Sequence, residues 1–216
     1  MKILSWVLVG SLFGWWAAER AAHCVRELRH SGETFGEAHV TEYEFTPHIA
    51  ATVNGVLSLA LIARFDMSFV AASFAVLCAF GTQLALIDVD THLLPRDIVL
   101  TACCCAVPLL VLSSQVDPRG SAIRMVIGSV VMWSALRLLQ LASRGDLGGG
   151  DVRLGALLGL YLGWISYEAL VMALLAAAVI AGIYAMVVIA VNRATRSTRF
   201  AFGPFLIVGA IVAVLR

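Results

Sequence analysis

The chain has 216 residues, of which 61% are hydrophobic and 13% charged, and its mean hydropathy is +0.92. That composition excludes a soluble globular domain, because a chain of this size cannot bury so much apolar surface. The net charge of +1 provides no basic surface for nucleic acid.

The apolar runs predict an all-α, polytopic membrane protein with about eight transmembrane helices. Residues 1–47 read as a first transmembrane helix and a short cytoplasmic loop, and residues 48–216 as the membrane core. The run 3–18 lies between Lys2 and Glu19-Arg20. It reads as a helix, with a signal peptide cleaved near Ala17-Ala18 as the alternative. Gly10 and Gly14 form a small-xxx-small pair for close packing, and Trp15 and Trp16 suit the membrane interface. Residues 19–47 are the longest polar stretch and are expected to be a solvated loop. His23, Cys24, His30 and His39 within it match no metal-ligand spacing, so no metal site is expected. Cys24, Cys78, Cys103, Cys104 and Cys105 contain no Cys-x-x-Cys pair and read as small, reduced packing residues.

Two spans follow at 48–63 and 68–87, with Asn54, Thr82 and Gln83 as their polar members; Gln83 is near enough to Asp88 to support it. Pro95 breaks the helix after the segment 88–97. Further spans are expected at 98–115, 121–143, 151–165, 169–191 and 201–215. Arg124 and Arg137 should snorkel toward opposite faces. Alternating spans place Arg20, Arg26, Arg29, Arg96, Arg144, Arg153, Arg193, Arg196 and Arg199 on one side. Lys2, Arg64, Arg119, Arg124 and Arg216 fall on the other. The arginine-rich side is therefore cytoplasmic, and it carries both Asp88 and Asp151.

These two acids are the candidate catalytic pair. Each stands at the edge of an apolar segment, where a carboxylate is costly to keep. Paired carboxylates that share a proton can hydrolyse an amide: one takes a proton from water, and the other donates to the scissile carbonyl. Gly155, Gly159 and Gly163 follow Asp151 at steps of four, so all lie near one helix face. The helix ending at Asp88 is the expected partner of that glycine face. Helix dipoles, worth about 1 kcal/mol per site, favour Asp151 as base and Asp88 as acid. Asp90, His92, Asp97 and Asp146 read as solvated loop residues.

Gly148-Gly149-Gly150-Asp151 is similar to the G-x-G-D motif of membrane aspartyl peptidases. Ile87-Asp88-Val89-Asp90-Thr91-His92-Leu93-Leu94-Pro95 resembles the first aspartate motif of bacterial type IV prepilin peptidases, and Phe202-Gly203-Pro204-Phe205 that family's C-terminal F-G-P motif. The resemblance covers roughly residues 48–215. It implies a leader peptidase of the bacterial inner membrane that cuts the short basic leader from prepilins or pseudopilins at the cytoplasmic face. Asp88 and Asp151 would be catalytic, and Gly148, Gly150, Arg153, Pro95, Gly203 and Pro204 would support them or bind substrate. Partners would be prepilin or pseudopilin substrates and the lipid bilayer, with no nucleic acid. No cofactor is implied for hydrolysis, and S-adenosylmethionine only if methyl transfer is retained. The chain departs from the family at Arg153, where Lys is common, and at Leu94-Pro95-Arg96-Asp97, where L-P-D is common. It also lacks the paired Cys-x-x-Cys motifs of larger members, which bind zinc.

A small ion-coupled transporter is the alternative function, but its acids are expected near mid-membrane rather than at segment ends. A structural assembly subunit without activity is a third reading.

Overall fold

The computed structural model describes residues 2–31, 47–66, 68–143, 147–191 and 201–216. The predicted loop residues 32–46, including His39, lie outside the described residues, as do Arg144, Asp146 and the basic segment 192–199. Among the described residues there are eight helices and no strand. They are α1 (Lys2–Ser31), α2 (Pro47–Phe65), α3 (Phe69–Thr91), α4 (Arg96–Val116), α5 (Ala122–Ala142), α6 (Gly149–Ile165), α7 (Tyr167–Ala190) and α8 (Gly203–Leu215). Five of them, α2, α3, α4, α5 and α7, are long and apolar enough to cross a membrane. The protein is an all-α, multi-pass membrane protein.

Serines start three of these helices. Ser68, Ser121 and Ser166 each accept the main-chain N–H three residues on, at 3.4, 3.3 and 3.1 Å. They satisfy donors that a helix start otherwise leaves unpaired, which matters most where water is scarce.

Close helix contacts come from small residues. Gly10 and Gly14 of α1 pack directly on Ser58 and Ala50 of α2, and Gly55 of α2 packs on Ser11 of α1. Asn54 ties α2 to α3 through a 2.8 Å hydrogen bond from its Nδ2 to Thr82 Oγ1. The polar stretch after residue 18 does not begin as a loop. The helix continues to Ser31 because Ala21, Val25 and Leu28 form an apolar stripe that packs on Ile87 of α3.

Helices α3 and α6 make the core, and nearly every residue of α6 is buried. Phe74 of α3 packs on Tyr161 and Trp164 of α6, with ring centroids 5.2 and 6.1 Å away. Trp164 Nε1 donates to Leu110 O at 3.0 Å and to Ser114 Oγ at 2.8 Å, joining α6 to α4. Much of α5 and α7 is exposed apolar surface suited to lipid.

The glycine face of α6 does not meet α3. It meets α5: Gly155 packs on Leu136, Gly159 on Gly128 and Ser129, and Gly163 on Arg124 and Gly128. Ser129 Oγ donates to Ala156 O at 2.9 Å across this seam. The expectation of an α3 partner fails because α5 offers its own small residues, Gly128 and Ser129, and so allows the closer approach. α6 touches α3 through Phe74 rather than through its glycines, and α4 on one side and α8 on the other bridge the two helices.

The two ends of the bundle differ. At one end Arg64 and Arg119 both lie over the Phe65 ring, and Arg124 donates to Trp164 O and Ile165 O, capping α6. There Asp117 and Arg119 form a two-pronged ion pair of 2.7–3.0 Å, which holds the Asp117 carboxyl below its ordinary range. Arg137 pairs with Gln140 toward the other end, near the start of α6. Arg124 and Arg137 thus reach opposite faces, as expected.

Candidate active site

The end of α3 and the starts of α6 and α8 converge. Asp88 lies in the last turn of α3. That helix stops at His92, which adopts φ 52° and donates its N–H to Asp88 O at 2.9 Å. Asp151 lies in the first turn of α6, which Gly148 opens, and its N–H donates to Gly148 O at 3.2 Å. Pro95 fixes the start of α4, and the stretch between His92 and Pro95 turns the chain back toward the bundle.

Leu94 joins the three ends. A Cβ on Gly150 would lie 2.6 Å from Leu94 Cβ, and one on Gly203 would lie 3.4 Å from Leu94 Cδ1. Glycine at both places lets the starts of α6 and α8 press against the same leucine. A Cβ on Gly203 would also lie 2.6 Å from Asp88 Oδ2. Instead the Gly203 N–H donates to Asp88 Oδ2 at 3.0 Å, a bond between residues 115 positions apart. Pro204 follows in the first turn of α8, where its missing N–H costs nothing.

Asp88 and Asp151 are 4% and 7% exposed, and the charge of Asp88 is felt at Asp151. Among the described residues no cation pairs with either. The Gly148 N–H approaches the Asp151 carboxylate, yet Asp151 Oδ1 is buried without a hydrogen-bond partner among the described residues. Two such groups can share one proton and act on one water.

The other predicted residues divide. Gly148, Gly150, Pro95, Gly203 and Pro204 all lie in this junction. Arg153 is exposed and lies on another face of α6 than buried Asp151. Gln83 is buried, and no hydrogen bond links it to Asp88. His92 and Asp97 are exposed, and Asp90 is half-buried. Leu94 and Thr91 were not singled out from sequence. Thr91 Oγ1 donates to Ile87 O at 2.8 Å and accepts from Leu93 N at 3.3 Å, shaping the turn that carries Leu94. The proline after the leucine was the available signal, since it forces the turn.

Fold and site together define a multi-pass membrane protein that buries two carboxylates at one end of its bundle. The chain belongs to the type IV leader peptidase family, which residues 75–186, just over half of it, match. It is 29% identical over 169 residues to a prepilin leader peptidase/N-methyltransferase of Stutzerimonas stutzeri, covering 74% of this chain and 55% of that protein. It is 31% identical over 158 residues to one of Burkholderia pseudomallei, covering 72% and 50%. One from Neisseria gonorrhoeae is 29% identical over 164 residues, covering 72% and 52%. The chain thus spans about half the length of the curated relatives it matches. No solved structure matches it.

Proposed function

We propose that this protein is a prepilin leader peptidase, an aspartyl endopeptidase that removes the leader of type IV prepilins or pseudopilins. Asp88 and Asp151 are its catalytic pair. The observation that carries this reading is the junction itself: residues far apart in the chain bring two buried carboxylates to one end of the bundle. Their position at helix ends suits a bond lying where a substrate's apolar helix meets its basic leader. It does not suit an ion site at mid-membrane.

The pair needs no metal for hydrolysis, because water activation and carbonyl polarisation both come from carboxyl groups. S-adenosylmethionine enters only if the new N-terminus is methylated. Gly148, Gly150, Gly203 and Pro204 hold the pair in place, with Pro95 setting the turn. Arg153 is placed for contact outside the buried pair, with substrate or lipid headgroups. The site faces the cytoplasm of the bacterial inner membrane, in line with the excess of arginine in the loops on that side.

The test is cleavage of a small prepilin, with a basic leader, a glycine and a long apolar helix, by the purified protein. Asp88→Asn and Asp151→Asn should each lower kcat by about 10²-fold or more. Full activity in either variant rejects the pair.

A further inference from the structure

The two carboxylates are not equivalent. Asp88 Oδ2 receives a complete main-chain hydrogen bond from Gly203 N–H at 3.0 Å, at the N-terminal end of α8. The Gly148 N–H approaches the Asp151 carboxylate, yet Asp151 keeps a buried oxygen, Oδ1, with no partner among the described residues. A hydrogen-bond donor and a helix N-terminus both favour the ionised form of the group they touch. A buried, unpartnered oxygen is costlier on a charged carboxylate than on a neutral carboxyl group. The dipoles of α3 and α6 act in the opposite sense, but a direct hydrogen bond to a charged group outweighs a helix-end effect.

The surrounding charges do not reverse this. α8 contains no charged residue. α4 begins with Arg96 and Asp97, and α6 continues to Arg153, all exposed. On α3, Asp90 is half-buried and His92 exposed; on α1, which packs on Ile87, Arg20, His23, Arg26 and Glu27 are exposed and Cys24 half-buried, and His48 of α2 and Arg137 of α5 are exposed. The charge that acts on Asp151 is that of Asp88.

We propose that the start of α8 divides the labour of the pair: Gly203 N–H makes Asp88 the base and leaves Asp151 as the acid. Asp88 takes a proton from water as the water oxygen bonds to the scissile carbon. The carbonyl oxygen, receiving the displaced electron pair, takes the proton of Asp151. In the collapse Asp88 returns its proton to the amide nitrogen, the C–N bond breaks, and Asp151 recovers a proton from a diol hydroxyl. Gly203 is a positioning residue, acting through Asp88. This inference rests on the reading of Asp88 and Asp151 as the working pair.

The first test is infrared titration of the protonated carboxyl band in Asp88→Asn and Asp151→Asn proteins in lipid nanodiscs. Each variant leaves one acid and removes the coupling between them. Asp151, seen in Asp88→Asn, should keep its proton to a pH about one unit above that at which Asp88, seen in Asp151→Asn, loses its own. Coincident or reversed order overturns the assignment.

The second test is Gly203→Ala, whose methyl group pushes Asp88 off the amide. The acid limb of the kcat–pH profile, set by ionisation of the base, should move up by about one unit with KM unchanged. A fall in kcat at every pH with the limb in place overturns the proposal. If Gly203→Ala does not fold, the infrared order decides. A wild-type protein that cuts no leader would sink the proposed function, whereas the order of the two acids is read without any cleavage.

Discussion

At the scale of single residues, the site depends on what is missing from Gly150 and Gly203 and on what Leu94 fills. Leu94→Ala would remove the side chain against which Gly150 and Gly203 pack, at a cost of about 2–5 kcal/mol for a buried leucine. The expected outcome is a lower unfolding temperature together with reduced leader cleavage. Leu94→Met, which conserves volume, should retain most of both. Near-normal stability and activity in Leu94→Ala would show that the junction is held by something else. Asp88 and Asp151 were legible in the sequence because an acid at the edge of a long apolar run stands out against its neighbours. The role of Gly203 in holding Asp88 was not, because it depends on an N–H meeting a carboxylate 115 residues away. The F-G-P resemblance marked the position without giving its physical reason.

At the scale of elements, the α5–α6 seam is the tightest test of the packing. A Cβ on Gly159 would lie 2.8 Å from Ser129 Cα and closer still to Gly128 O, all of it backbone that cannot turn aside. Gly159→Val should therefore destabilise the protein by about 1–3 kcal/mol, read as a lower unfolding temperature in detergent. Gly182→Val is the control, since nothing lies within 4 Å of the added atom. Equal stability of the two variants would contradict the seam. The sequence showed that α6 has a small-residue face but not which helix it meets. Gly128 and Ser129 on α5 were the overlooked counterpart. Likewise Ala21, Val25 and Leu28 were visible at helical spacing inside a stretch read as loop. Their charged neighbours, Arg20, Arg26 and Glu27, hid a stripe that needs Ile87 of α3 to complete it.

At the scale of the whole molecule, α6 and α8 are shorter than the helices around them. Their 17 and 13 residues span about 25 and 20 Å, against a hydrocarbon core of about 30 Å. The proposed orientation can be checked by labelling single cysteines in intact cells, in a background with the native cysteines replaced by serine or alanine. A cysteine at Arg119 should react with an impermeant reagent from outside, and one at Arg96 only after the membrane is opened. The reverse pattern would turn the site outward. The Asp117–Arg119 pair lies at the far end from the acids, and its folded carboxyl is held below the ordinary range. Its contribution is therefore present above about pH 4 and is lost as pH falls through the folded value. Arg119 is 55% exposed, so the contribution is no more than about 1 kcal/mol. Asp117→Asn should lower the unfolding temperature slightly at neutral pH and not in strong acid.

The amide that grips Asp88 belongs to α8, which leaves the ribosome after α3 and α6, the helices that carry the two acids. During synthesis the growing polypeptide carries both acids into the lipid well before Gly203 exists. The nascent chain thus inserts both acids before the contact that positions Asp88 can form, and only the start of α8 completes the junction.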